Sequence, residues 1–504
     1  MAGLKKAVPF TLLIASTVLA FDCSKPPIYV DIHKRAVRGT NILQYGSFIG
    51  FGTPSQNQSL FPSLRQNETS VASGDFCGRS QLRNCEGETH GTFDASFSRS
   101  WIEDKTYRSL DSSQLSNAST FGTDSGHLYT HFFETNPATV NTVDNFSLEV
   151  VSSSSSNPGV IGFGAASTLL QKIYAAGLIA GRTYSLYIGA GMDRAGGVVN
   201  GSNTFGGFDS GRFTGPVFTN QIDTSSADPL AVTVTDIILD DPTGLTRNVS
   251  LMDSVRFPNI SSVAQGFTAR ITTDQYPMTF PPQITENFMS LLTAVETDPN
   301  EVPDHSLRIT KSFAGTMTIV LSDGFRVTLP PEMVSNSTGL SPVASGNFNW
   351  NGSPMEENIF YLGASWLSQV YLMIDYEAYN FHLAQAVVEN KYVMPTTWCP
   401  KSIPVAKSAE SESDFGANGL VGAVLGGVIG GIAFIACCVI GILYLLRYRT
   451  VKKMERLEAE EGMKKRQYQD MEDGSSSDGS VKGPSRDHST ERIHPRGVFG
   501  AWRK

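Results

Sequence analysis

The chain has 504 residues, 40% of them hydrophobic, and a formal net charge of −9 at pH 7. That length exceeds one ordinary domain and can bury a large core, so two lobes or domains are expected. The acidic balance argues against nucleic acid as a partner, because phosphate binding needs clustered lysine and arginine.

In chain order, Lys5 and Lys6 precede an apolar run, Ala7 to Ala20, that ends in small residues. This predicts a secretory signal over residues 1–20, cut after Ala20. Four cysteines follow, Cys23, Cys77, Cys85 and Cys399, an even number in an oxidising compartment. Three pairings are open to four cysteines. The expected one closes a short Cys77–Cys85 loop and ties Cys23 to Cys399. Asn57, Asn67, Asn117, Asn145, Asn200, Asn248, Asn259, Asn336 and Asn351 each begin Asn-x-Ser/Thr, and none lies after residue 400. Glycans on a lumenal surface are the expectation.

Residues 21–400 read as all-β. Short runs rich in Val, Ile, Thr, Tyr and Phe alternate with Gly, Asn, Ser and Asp clusters. Strands are expected at Tyr45–Phe51, Ser147–Val151, Tyr184–Ile188, Ala231–Leu239, Met317–Leu321 and Val370–Ile374, and helices at Ser167–Ala176 and Gln283–Val295. No repeat of 20–50 residues suggests a propeller or solenoid. Lys34-Arg35 is a dibasic pair, read as two solvated charges rather than a trimming site.

Residues 401–418 form a Ser-, Ala- and acid-rich stalk. The run 419–446 holds no charge and exceeds the about 20 helical residues that cross a bilayer. Arg447, Arg449, Lys452, Lys453 and Arg456 follow it, which predicts a single-pass type I helix with the C-terminus in the cytosol. Cys437 and Cys438 fall inside this run as apolar filler, and Gly422, Gly426 and Gly430 could let two copies approach as a homodimer. The tail 447–504 is too polar to fold alone and is expected to be disordered, with Arg447–Arg466 starting as a helix.

Several segments, in order, resemble the pepsin-like aspartic proteases. Tyr45–Gln56 is similar to the first-strand signature, and the Cys77–Cys85 loop with Phe93–Trp101 to the small disulfide loop and its continuation. Gly159–Gly164 is similar to the Gly-Ile-Leu-Gly-Leu-Gly strand, and Tyr184–Ile188 and Thr204–Asp209 to the lobe-connecting strands. Phe360–Leu367 with Val370–Asp375 is similar to the closing pair. The resemblance spans about Ile42 to Ala386 and implies a bilobal fold, with lobes at 21–195 and 196–400. The whole build resembles membrane-anchored fungal members of that family.

The family's chemistry needs two Asp-Thr/Ser-Gly loops whose carboxyls share one proton. Here the first position falls on Pro62 or Ser63, followed by Leu64 and Arg65. Counting back from Pro281-Pro282 puts the second on Thr273, with Asp274 beside it. The flap hairpin is expected at Phe121–Gly126, with Phe121 in place of a tyrosine. An unusual protease would need Asp274 and another carboxylate such as Asp75. His127 and His131 are four apart on an expected strand, roughly 13 Å, too far to share a metal. No metal or cofactor is expected. The expected function is a proteolytically silent ectodomain at the plasma membrane or a secretory-pathway membrane, binding a peptide, glycan or protein in its cleft. A membrane-tethered aspartic endopeptidase is the alternative.

Overall fold

The computed structural model describes residues 21–406, apart from 40, 81, 83–84, 108–117, 131–138, 155–157, 191–198, 243, 245, 261–264, 351 and 390–392, and most of 443–466. The signal 1–20, the stalk beyond 406, nearly all of the run 419–446 and the tail beyond 466 lie outside the described residues, as do Asn117, His131 and Asn351. Among the described residues no helix is long and apolar enough to cross a membrane.

The chain divides into two compact units, Met1–Ser408 and Ala409–Lys504. In the second, residues 445–454 are helical and exposed. The first is mostly β, in agreement with a pepsin-like two-lobed fold. Its largest sheet has 14 strands. Along it run Phe213–Gln221, Asn380–Ala386, Val370–Asp375, Thr183–Tyr187, Gly201–Phe205, Ile28–Ala36, Leu43–Phe51 and Gln56–Ser63, so early and late strands of this unit meet in one layer. A six-stranded sheet, built around Ala231–Asp240, Thr316–Leu321 and Phe267–Ile271, serves the later half.

Local sequence explains these elements. In Ala231–Asp240 the buried residues are Val232 and Val234, then Ile237 and Leu239. The parity flips because the ladder to Thr316–Leu321 slips between Val234 and Asp236, and one extra residue turns every later side chain over. Val370–Asp375 is buried along its whole length, as a strand covered on both faces must be, and its Val-Tyr-Leu-Met-Ile run supplies the apolar surface. The helix Thr168–Ala175 starts where Ser167 Oγ accepts the Leu170 amide, and it buries Leu169, Leu170 and Ile173. The helix Pro282–Leu292 opens with proline in its first turn and stops at Thr293, whose φ is 52°. The expected Gln283–Val295 helix is therefore shorter at its end, and Ala294–Val295 is a strand.

Phe163, Tyr184, Phe205 and Tyr376 pack at the centre of the core, with Phe163 and Tyr184 stacked at 4.7 Å. Tyr376 Oη donates to the Phe163 carbonyl at 2.6 Å, so the buried hydroxyl is satisfied. Disulfides join Cys23 to Cys399 and Cys77 to Cys85. Of the Lys34-Arg35 pair, Lys34 is exposed, as expected of a solvated charge, whereas Arg35 is half-buried and packs 4.0 Å over the Phe48 ring.

Candidate functional site

Two parallel pairings place the site. The strand Gln56–Ser63 runs beside Val160–Gly162, matching Ser63 with Gly162. In the later half Phe267–Ile271 runs beside Phe360–Leu362, matching Ile271 with Leu362 and so bringing Thr272 to Gly363. Both glycines are needed because the chain after each strand doubles back onto them. A Cβ on Gly162 would meet the Glu68 carbonyl oxygen at 2.6 Å, and one on Gly363 would collide with the carbonyl oxygens of Tyr276 (2.6 Å) and Pro277. Glu68 is five residues beyond Ser63, and Pro277 five beyond Thr272. Ser63 and Thr272 are therefore equivalent positions of an internal two-fold.

This register separates the alternatives the sequence left open. Pro62 is a ladder position paired with Ile161, and Ser63 ends the strand. The second position is Thr272, one residue before Thr273 and two before Asp274. Thr272 is the residue that follows the paired strand and donates its amide to the Leu362 carbonyl, whereas Thr273 lies one residue into the loop. Thr272-Thr273-Asp274 keeps the middle threonine of the Asp-Thr/Ser-Gly pattern, which was the available signal. The two loops still touch: Leu64 N donates to Thr273 Oγ1 at 3.2 Å. The reciprocal bond has no acceptor, because Leu64 carries no hydroxyl.

Neither equivalent position holds a carboxyl. Ser63 is fully buried, and its Oγ accepts the Gln66 amide at 3.1 Å. Thr272 is also buried, and its Oγ1 accepts the Asp274 amide at 3.1 Å. Both hydroxyls hold their loops closed.

A charged group sits on the first loop. Arg65 lies 3.8 Å from Asp228 and 3.2 Å from Glu356, both far along the chain from it. Asp228 is 2% exposed and accepts a hydrogen bond from Tyr361 Oη at 2.9 Å. Burial pushes the Asp228 carboxyl up, and Arg65 and Tyr361 pull it back only in part. Burial opposes the Arg65 charge, but Asp228, Tyr361, Asp274 and Glu356 outweigh it and leave its pKa raised. Beside them, Trp350 Nε1 donates to the Thr273 carbonyl at 2.9 Å and its amide to the Asp274 carbonyl at 3.3 Å. Its ring meets Phe61 edge-on at 5.8 Å, so the segment before Phe360 is pinned to both loops.

The expected hairpin at Phe121–Gly126 is not one. These residues run inside the long strand Ser119–Thr130, paired with Thr139–Val151, because the hydrogen-bond ladder continues past Asp124 with one bulge. Phe121 stacks on Tyr107 at 5.1 Å and lines a small pocket with Glu68, Asp104 and Glu149. His127 lies on the same strand, its Nε2 3.1 Å from the Gly52 carbonyl oxygen. Asp75 precedes the Cys77–Cys85 loop, bonded to Ser73 and Arg79. Of the sequon asparagines, Asn145, Asn200, Asn248 and Asn259 are exposed, Asn57 and Asn336 half-buried. Asn67 is half-buried and its Oδ1 accepts the Ala166 amide at 2.7 Å.

The family model of the eukaryotic aspartyl proteases matches residues 44–386, more than half of the chain. Among curated proteins no relative matches.

Proposed function

The chain belongs to the eukaryotic aspartyl protease family, and from that premise we propose that it is a type I membrane glycoprotein whose ectodomain has lost peptide-bond cleavage. The observation that carries this is the pair Ser63 and Thr272 at the two equivalent positions. Hydrolysis in this family needs two adjacent carboxyls with split pKa values, one taking a proton from water and the other giving one to the leaving group. A serine and a threonine hydroxyl can do neither near neutral pH, and Arg65 adds a fixed positive charge to one loop.

A cleft between two lobes stays concave after the chemistry is lost. In this reading lobes at 21–195 and 196–400 hold a peptide, glycan or protein ligand between them. The uncharged run 419–446 anchors the body in the plasma membrane or a secretory-pathway membrane, as in membrane-anchored fungal members of the family. The sequons before it carry glycans, its glycines offer a route to a homodimer, and the disordered tail faces the cytosol.

The second reading, an endopeptidase with a non-standard site, keeps one specific support: Asp274 is half-buried in the second loop and interacts with Arg65. The test is cleavage of a mixed peptide library by the full chain in detergent, from acidic to neutral pH, with and without a pepstatin-type inhibitor. No cleavage by folded protein is expected. Cleavage that disappears in Asp274→Asn would establish the second reading. Inhibitor-sensitive cleavage that survives it would overturn the assignment of Ser63 and Thr272.

A further inference from the structure

The second unit carries a charge pattern that the proposed function uses only to orient the span. Residues 447–456 hold Arg447, Arg449, Lys452, Lys453 and Arg456 against the single acid Glu455, a net +4 (5 − 1) in a chain of net −9. Residues 445–454 are helical, as is 456–458, and all four of Arg449, Lys452, Lys453 and Arg456 are exposed. Their spacing is i, i+3, i+4, i+7, which stacks them on one helix face within about 10 Å of axis. Lys452 Nζ lies 5.6 Å from the Tyr448 ring centroid, so its aliphatic stem is drawn back along the helix toward residue 446.

We infer that this face is a docking surface for anionic phospholipid headgroups of the leaflet from which the helix emerges. The inference rests on the reading of 419–446 as a membrane span. Two features select this partner. The stripe begins three residues after the uncharged run ends, so the run holds it beside one surface. Lysine and arginine near an anionic leaflet each add about 1 kcal/mol of attraction, or roughly fivefold in adsorption, and the field decays within a Debye length of about 8 Å at physiological salt. Four cations on one face, held next to the surface, are enough to lay the helix along it instead of letting it project into water. The acids that follow, Glu458, Glu460 and Glu461, set the far end of the docked segment, because they are repelled by the same field.

The test uses the full chain in vesicles of phosphatidylcholine alone and in vesicles with a third phosphatidylserine. Amide hydrogen exchange over 447–456 is the readout, and alkaline carbonate washing reports anchoring separately. Exchange is expected to slow by about tenfold or more in the anionic vesicles, to recover in high salt, and to recover in the quadruple variant R449Q/K452Q/K453Q/R456Q. Retention on washing with equal exchange in both vesicles would overturn this inference alone. Slowing that persists in the quadruple variant, or that needs added cytosolic protein, would also overturn it. Loss of the chain on washing would overturn the spanning reading, and this inference with it.

Discussion

A single arginine ties the first loop to two carboxylates far along the chain. Arg65 stands where the family pattern wants a small residue, and its guanidinium joins a buried aspartate, Asp228, to an exposed glutamate, Glu356. Removing one partner of a largely buried pair leaves the other charge uncompensated, which costs more than the pair contributes. Arg65→Met should therefore destabilise the ectodomain by about 2–3 kcal/mol, and adding Asp228→Asn should recover part of the loss. Thermal unfolding of the full chain in detergent reads both. An additive double variant would mean that the two side chains do not interact. His90 makes a separate statement about pH. It is buried, its Nδ1 lies 2.8 Å from the Ser59 carbonyl oxygen, and burial lowers its pKa to about 4. The unfolded chain takes up that proton near pH 6.5, the folded one only near 4, so stability present above pH 6.5 is lost as pH falls toward 4. At pH 5 this amounts to about 2 kcal/mol. The gap in melting temperature between pH 7 and pH 5 should narrow in His90→Asn, and an unchanged gap would remove His90 from the account.

At the scale of elements, the strands were legible where side chains alternate or crowd. Val232, Val234, Ile237 and Leu239 announce a strand by composition, and Ser167 announces the helix that follows it by capping. What the sequence could not supply was register. Pro62 and Ser63 look equally placed until the pairing with Ile161 and Gly162 is known. The same holds for Thr272 and Thr273, because a count from Pro281-Pro282 carries the length of an irregular loop. Phe121–Gly126 resembles the family's flap hairpin in sequence, but the ladder to Thr139–Val151 runs through it as continuous strand, which only the pairing shows. The two glycines that fix the register give a prediction of their own. Gly363→Ala would push a methyl group into the Tyr276 and Pro277 carbonyls, and backbone cannot yield as a side chain can. A loss of about 2 kcal/mol or more is expected, with a similar loss for Gly162→Ala. Gly78→Ala, which meets nothing within 4 Å, should be close to neutral. Equal melting temperatures for all three variants would refute the close approach.

On the scale of the whole molecule, the Cys23–Cys399 bond closes a loop of sequence separation 376, while Cys77–Cys85 closes one of 8. In the chain-entropy account the longer loop stabilises the body by about 6 kcal/mol and the shorter by about 2–3 kcal/mol. Cys23→Ser with Cys399→Ser should therefore lower the melting temperature further than Cys77→Ser with Cys85→Ser, and the reverse order would mean that strain or unfolded-state structure dominates. The same bond also determines how the body bears a pull. Tension applied to the chain beyond Pro400 would otherwise peel the short strand Pro395–Thr397 away from Gly207–Asp209, one hydrogen bond at a time. The sulfur bridge shunts that load to Cys23 and on to Ile28–Ala36, which is paired on both sides, with Gly201–Phe205 and with Leu43–Phe51. That strand is bonded to Gly201–Phe205 over Ile28–Ile32 and to Leu43–Phe51 over Ile32–Ala36, so force entering at Cys23 is shared between two neighbours inside the large sheet instead of falling on a three-residue end strand.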